Sequence, residues 1–329
     1  MNNPSTQQSN EQMQNNIHIQ NNIADDEIDL RELLSVIWQG KWIIIAITTL
    51  FTVASVFYAI NQPNIYKSEV LLAPAEQDQQ GAFGSLTGQL GGLASLAGVN
   101  LGSNGGGDKT QMALEVLKSR QFTSEFIQKH NILPDLMAAK SWNRKTNTVI
   151  YDDELYIAEQ NKWVREIEAP FNPEPSMQEA YKEFKKVIST SKDQETGMVT
   201  ISVQHLSPYL AKQWVNWLVQ DINKTMKQRD VLEANKSTDF LMSQLEKTKI
   251  ADIRTVLYKL VEEQAKTIMF ANVRNEYVFK TIDPAIVPEL WFKPKRVLTC
   301  ILGFILGVVL SMILVLIRHC IKRQFTSIG

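Results

Sequence analysis

The sequence predicts an α+β membrane protein: two transmembrane helices flank one large domain, with an α/β layer beside the bilayer and a long extended helix leading away from it. Three observations carry this reading. Two uncharged apolar runs, Ile43–Ile60 and Val297–Ile317, stand near the ends of the 329-residue chain. Segments of alternating apolar and polar residues adjoin both runs. Between Tyr209 and Asp283 the chain has neither Gly nor Pro, which allows a very long helix.

The elements follow in order. Residues 1–24 are rich in Asn and Gln and read as a disordered tail. Over residues 25–41, Ile28, Leu30, Leu33, Leu34, Ile37 and Trp38 recur at roughly helical spacing. Asp25, Asp26, Glu27 and Asp29 stand at the start, where the helix dipole favours anions. This is an amphipathic lead-in helix. The first span covers 42–60; its 18 uncharged residues reach about 27 Å, enough for a thin hydrocarbon core. Trp42 and Tyr58 lie near its ends, where amphipathic rings prefer the interface. A polar stretch precedes it and Asn61-Gln62-Pro63-Asn64 follows, so it reads as an uncleaved anchor rather than a signal peptide. The second span, 297–317, has 21 uncharged residues between Lys293, Lys295, Arg296 and Arg318, Lys322, Arg323.

Two spans put both termini on one side and residues 61–296 on the other. Basic flanks are nearly balanced and do not decide the orientation; the short tails, 318–329 among them, and the long loop are compatible with both ends cytoplasmic, which is the expectation. Only 12 residues follow Ile317, too few for a catalytic domain.

Within the loop, Asn64–Leu72 alternates and predicts a strand. Residues 81–107 hold ten of the fifteen glycines with interspersed leucines, a flexible loop or broken helix. Asp108–His130 predicts one helix, followed by helical or loop segments to about Phe171, where Pro173 and Pro175 interrupt the chain. Met177–Phe184 predicts a helix, and Val187–Thr190 and Gly197–Val203 predict strands. Ser207-Pro208 is a helix start, with Ser as N-cap and Pro in the first turn. The helix predicted from 208 to about 270 would be about 90 Å long and must project from a compact domain. The competing reading is two helices joined near Asn235-Lys236-Ser237. Ile250, Ile253, Leu257 and Leu260 fall at 3-4-3 spacing, a face that wants a neighbour. Tyr277–Ile282 predicts a returning strand, and Pro284, Pro288 and Pro294 lead into the second span. The strands are expected to share one sheet.

Thirty-four Lys and Arg against 35 Asp and Glu give a net charge of -1, which argues against a nucleic-acid partner. Two cysteines, Cys300 and Cys320, and four scattered histidines offer no metal-ligand spacing. Gly105-Gly106-Gly107-Asp108-Lys109-Thr110 lacks the contiguous Gly-Lys-Thr of a phosphate loop. Asp152-Asp153-Glu154 reads as a solvated acidic turn. Neither a nucleophile elbow nor a metalloprotease pattern occurs, so no cofactor and no enzymatic activity are expected. Gly303 and Gly307 form a GxxxG pair, a spacing that lets two membrane helices approach closely.

Several segments together resemble the Wzz-type chain-length determinants. They are Ile28-Asp29-Leu30-Arg31-Glu32-Leu33 with Trp38 and Lys41, Tyr66-Lys67-Ser68-Glu69-Val70-Leu71-Leu72-Ala73-Pro74 and Leu93–Gly98. Ala113–Phe122, Phe279–Glu289 and Lys293-Pro294-Lys295-Arg296 complete the set. The resemblance covers about residues 25–320. It implies a polysaccharide co-polymerase of the bacterial inner membrane, with a periplasmic domain at 61–296 that assembles into homo-oligomeric rings. Such proteins set the modal length of O-antigen made by a Wzy-type polymerase and are not known as enzymes. Implied partners are the polymerase, polysaccharide or lipid-linked glycan, and membrane lipid. Pro284, Pro288, Pro294, Gly303 and Gly307 are the expected packing and length-control residues; Ile253, Leu257 and Leu260 are the expected oligomer contacts. Two rivals remain: an activator of a separate cytoplasmic tyrosine kinase in capsule or exopolysaccharide export, and a membrane glycosyltransferase.

Overall fold

The computed structural model describes residues 38, 40–75, 105–168 and 170–326, which fall into two compact units. One comprises residues up to 62 and from 295 onward; the other is residues 63–294. The expected tail at 1–24, most of the lead-in helix at 25–41 and most of the glycine-rich stretch lie outside the described residues. In chain order the elements are α1 (Lys41–Asn61), β1 (Tyr66–Pro74), α2 (Gly105–Leu117), α3 (Arg120–His130), α4 (Leu133–Met137), β2 (Ala139–Asn143), β3 (Thr148–Tyr151), β4 (Tyr156–Ile157), β5 (Lys162–Trp163), α5 (Met177–Val187), β6 (Ile188–Lys192), β7 (Val199–His205), α6 (Pro208–Lys247), α7 (Ala251–Val273), β8 (Phe279–Asp283) and α8 (Arg296–Thr326).

The first unit is the pair α1 and α8, packed along each other. Both are long and apolar enough to cross a bilayer. Their large side chains face outward, Phe57 at 71% and Val297 at 75% exposure. A soluble core helix of this composition would bury them.

The second unit is built on a four-stranded antiparallel sheet in the order β6-β7-β1-β8. The expected strands thus do share one sheet. Period-two burial along β1 puts Tyr66, Ser68, Val70 and Leu72 inward, opposite His205, Val203, Ile201 and Val199 of β7. The first half of α6 lies on this face and buries Trp214, Val215, Leu218, Ile222 and Met226. Phe122, Phe126 and Ile127 of α3 and Phe184 of α5 complete the core, with the Phe126 and Phe184 rings 5.5 Å apart. Ser207 caps α6 as expected, its hydroxyl accepting the Leu210 N–H at 3.4 Å. Ser176 and Glu179 form a capping box at the start of α5.

Three expectations need correction. The long helix ends at Lys247, about 60 Å from its start, rather than near 270. Thr248–Ile250 reverse the chain, and α7 packs back along α6. The break lies about three turns of helix beyond Asn235-Lys236-Ser237, where the competing reading placed a joint, and it uses neither Gly nor Pro. Its cause is the seam: Ala234 and Leu245 of α6 and Leu257, Val261, Ile268 and Ala271 of α7 leave water only when the chain doubles back. The helix expected over Asp108–His130 is two helices, because Ser119 adopts an extended backbone and its hydroxyl accepts the Phe122 N–H. Between 131 and 171 the chain forms α4 and two small hairpins, β2–β3 and β4–β5, rather than only helix and loop. Asn147 at φ 53° and Asn161 at φ 50° supply the left-handed turns that most residues avoid.

Candidate functional site

The helix pair is held by small residues. On α1, Thr48, Thr52, Ser55 and Ala59 recur at i, i+4, i+7 and i+11; on α8, Cys300, Gly303, Gly307, Ser311 and Val315 form the matching stripe. A Cβ added at Gly303 would stand 2.4 Å from the Ser55 Cβ. One at Gly307 would stand 3.0 Å from the Phe51 Cβ and 3.1 Å from the Thr48 Cα. Both glycines are therefore required by backbone approach, the means by which helices associate where no hydrophobic drive exists. A Cβ added at Gly40 would stand 2.5 Å from Val315 Cγ1, against a side chain rather than backbone. The Thr52 and Ser55 hydroxyls donate to the Thr48 and Thr52 carbonyls at 2.7 and 2.8 Å, and Ser311 donates to Val308 at 2.8 Å. These polar groups thus need no water. Sequence reasoning singled out Gly303 and Gly307 but missed Gly40, Thr48 and Ser55, although the four-three spacing of 48, 52 and 55 was a signal.

Pro284, Pro288 and Pro294 belong to one segment that follows β8. Pro284 is exposed; Pro288 and Pro294 are half-buried, and the Lys293–Pro294 peptide is cis. The segment is tied to the start of β1 twice. The Ser68 hydroxyl donates to the Ile286 carbonyl at 2.8 Å, and Ile65 exchanges backbone hydrogen bonds with Phe292 and Lys293 at 2.8 and 2.9 Å.

The root of the α6–α7 hairpin is latched by Asn223, which is buried in the middle of α6. Its Oδ1 accepts the Val278 and Phe279 N–H groups at 2.8 and 2.9 Å, and its Nδ2 donates to the Phe279 carbonyl at 3.1 Å. The Tyr277 hydroxyl adds a bond to Asp230 at 2.7 Å. Beyond this latch the hairpin extends for about 35 Å. Leu257 is half-buried in it, whereas Ile253 and Leu260 stay 46% and 39% exposed, with Val256 beside them at 57%. The exposed α7 flank and the half-buried residue are therefore neighbours on one helix.

Two histidines are structural. His205 is buried: its Nδ1 accepts the Ser207 N–H at 2.9 Å, which leaves Nε2–H to donate to the Asp135 carbonyl at 3.1 Å. Burial pushes its pKa below the ordinary histidine value. His130 stacks on Trp217, ring centres 4.1 Å apart, and meets Asp221 at 2.8 Å, where Lys129 also bonds. Among the described residues no three His, Cys, Asp or Glu side chains converge on a metal-sized space. Asp152 sits in a turn, accepting from Lys140 at 3.3 Å and from the Glu154 N–H.

Residues 26–130 match the family model of the Wzz chain length determinant protein. Residues 247–320 match GNVR, a G-rich domain on tyrosine kinases. No curated protein matches the chain. Among solved structures, one described as a full-length bacterial polysaccharide co-polymerase shares 13% identity at a TM-score of 0.37, over 91% of this chain and 99% of that one. A fragment of WzzB, polysaccharide co-polymerase from Salmonella Typhimurium, shares 11% identity at a TM-score of 0.28, over 70% of this chain and all of that one. The Wzz match takes in the first apolar helix, β1 and the helices that close the core, and the GNVR match runs from α7 into α8. By these two matches, one taking in the first apolar helix and the other running into the second, the chain is similar to the Wzz chain length determinants over residues 26–130 and to GNVR domains over residues 247–320.

Proposed function

We propose that this chain sets the modal length of O-antigen made by a Wzy-type polymerase, acting as a homo-oligomeric scaffold in the bacterial inner membrane. The observation that carries the reading is the chain-length-determinant match over residues 26–130. In this reading both termini are cytoplasmic and residues 61–296 are periplasmic. The sheet is the membrane-proximal base, since β1 and the 284–294 segment adjoin the spans in sequence, and the α6–α7 hairpin leads away. Protomers form a ring through the α7 face of Ile253, Leu257 and Leu260; the exposure of Ile253 and Leu260 supports this, because apolar side chains on a projecting helix favour a partner. Gly303 and Gly307 hold the helix pair, and Pro284, Pro288 and Pro294 fix the route into α8. The ring holds polymerase and growing or lipid-linked glycan at the membrane, and chain length follows from ring geometry or dwell time. The chain performs no bond-making step itself.

The test is a silver-stained gel of lipopolysaccharide from a deletion strain, with and without the gene restored. Loss of the modal ladder and its recovery support the reading; an unchanged ladder refutes it. The GNVR match favours a second reading, a co-polymerase that activates a separate cytoplasmic tyrosine kinase in capsule or exopolysaccharide export. Cross-linking to such a kinase, with an intact O-antigen ladder on deletion, would select it.

A further inference from the structure

We propose that the domain carries a glycan-binding groove between the β4–β5 hairpin and the proline-rich loop of residues 170–176; the choice of glycan rests on the polysaccharide reading above. One wall is Trp163, half-buried at the end of β5, its ring 4.9 Å from that of Tyr156. Beside it stands Asn161, whose Oδ1 accepts from the Tyr156 hydroxyl. That bond fixes the amide and leaves its two N–H donors for a ligand. The opposite wall is Phe171, 58% exposed, followed by Asn172.

The groove is built before any ligand arrives. Arg165 donates to the Pro173 carbonyl at 2.6 Å, the Asn172 carbonyl at 3.1 Å and the Glu179 carboxylate at 2.6 Å. One guanidinium thus holds the loop to the first turn of α5, and the bond to Arg165 keeps the Glu179 carboxyl below the usual carboxylate range. Pro170, Pro173 and Pro175 stiffen the same loop. Preformed walls lower the ordering cost of binding.

The lining selects the ligand class. A sugar ring offers an apolar C–H face and an edge of hydroxyls that both donate and accept. The groove offers two aromatic surfaces, amide donors at Asn161 and Asn172, and a carboxylate acceptor at Glu174. Its charges cancel: Arg165 pairs with Glu179, and Lys162 stands opposite in sign to Glu174. A polyanion would need a net positive wall, and an acyl chain would need a continuous apolar one. A neutral, hydroxyl-rich polymer meets neither obstacle.

The experiment uses the full chain in nanodiscs and, as probe, O-polysaccharide freed of lipid by mild acid from the strain that makes this protein, with polyglutamate as the polyanion that the charge-balanced lining should refuse. Saturation-transfer NMR should show saturable binding of the strain's polysaccharide. Phe171→Ala and Asn172→Ala should each weaken it by about five- to tenfold without moving the melting temperature, whereas Asn161→Ala is set aside because Asn161 holds a left-handed turn and the Tyr156 hydroxyl. Trp163→Ala is not relied on, because Trp163 also supports Tyr156. Absent binding to the wild-type chain, equal binding of polyglutamate, or unchanged binding in both variants overturns the groove. The same variants in the deletion strain separate the two proposals. A wild-type gene that restores the ladder while no saturable binding exists removes the groove and leaves length control. Saturable, Phe171-dependent binding with a ladder insensitive to deletion removes length control and leaves the groove.

Discussion

Replacing Asn223 with Ala should loosen the whole α6–α7 hairpin, because one side chain makes three hydrogen bonds at its root. The amide is 4% exposed, and its partners Val278 and Phe279 are 4% and 0% exposed, so water does not replace it. A typical hydrogen bond contributes about 1 kcal/mol net, and a buried group left unpaired costs about 1–3 kcal/mol. Two donors and one acceptor lose their partner, and some relaxation is available at a chain reversal; the loss should come to about 3–5 kcal/mol. At about 2–4 °C per kcal/mol for a domain of this size, the melting temperature should fall by roughly 10 °C. Asn223→Asp keeps both acceptor contacts but loses the donor to the Phe279 carbonyl, so it should fall between Ala and wild type. Circular dichroism of the full chain in micelles measures the melt, and hydrogen exchange at Val278 and Phe279 localises it. An Ala variant that melts within about 1 °C of wild type, or an Asp variant no better than Ala, would refute the latch.

The other predictions are steric, titrational and interfacial. Gly303→Ala puts a methyl 2.4 Å from the Ser55 Cβ, where carbon atoms prefer about 3.5–4.0 Å, so it should weaken the helix pair; adding Ser55→Gly in the same chain should restore its melting in micelles. His205 has a folded pKa below its unfolded value of about 6.5. Above that pH both states are neutral and stability is full; as pH falls below it, the unfolded chain takes up a proton that the folded chain refuses. Stability should drop toward pH 5 by up to about 1.4 kcal/mol per pH unit, and His205→Gln should flatten that slope in melts across pH 5–7.5. Leu260→Arg and Ile253→Arg should reduce oligomer size by mass photometry with little change in melting temperature, whereas Leu257→Arg should also destabilise the hairpin.

The spans were readable because an uncharged run of 18 or more residues has few other uses, and the sheet because alternation in 66–72 and 199–205 maps directly onto two faces. The reversal at Thr248–Ile250 was not readable. Local propensity is equally satisfied by one helix or two, and only the pairing of seams from residues far apart decides between them. The cap at Ser119 was a local signal that a longer apolar period outweighed. In the site, Gly303 and Gly307 announce close approach, yet what they approach is a property of α1, and small residues on one helix acquire meaning only beside the other. Asn223 was invisible for the same reason: a polar residue inside a helix is explained only by backbone groups 55 and 56 positions later.

The apolar arc of α7 is wider than its one visible neighbour can use. At about 100° per residue, Leu257, Val261 and Ile268 lie within about 40° of one line, which is the seam with α6. Ile253, Leu260 and Val256 lie about 40–100° to one side of Leu257, Arg254 lies about 60° and Glu262 about 140° to the other, and Lys259 and Lys266 lie nearly opposite. A helix that needed only α6 would turn polar at the edge of the seam on both flanks. On the Ile253 flank this one stays apolar as far as Val256, about 100° from Leu257, before Glu263 ends the arc. The proposed ring gives α7 two neighbours: α6 from the same chain on the seam, and a surface from outside the chain on the exposed line of Ile253, Leu260 and Val256. In that proposal the second surface is another copy of this chain, so the Ile253 and Leu260 substitutions test assembly, while Leu257, half-buried in the seam, tests the fold.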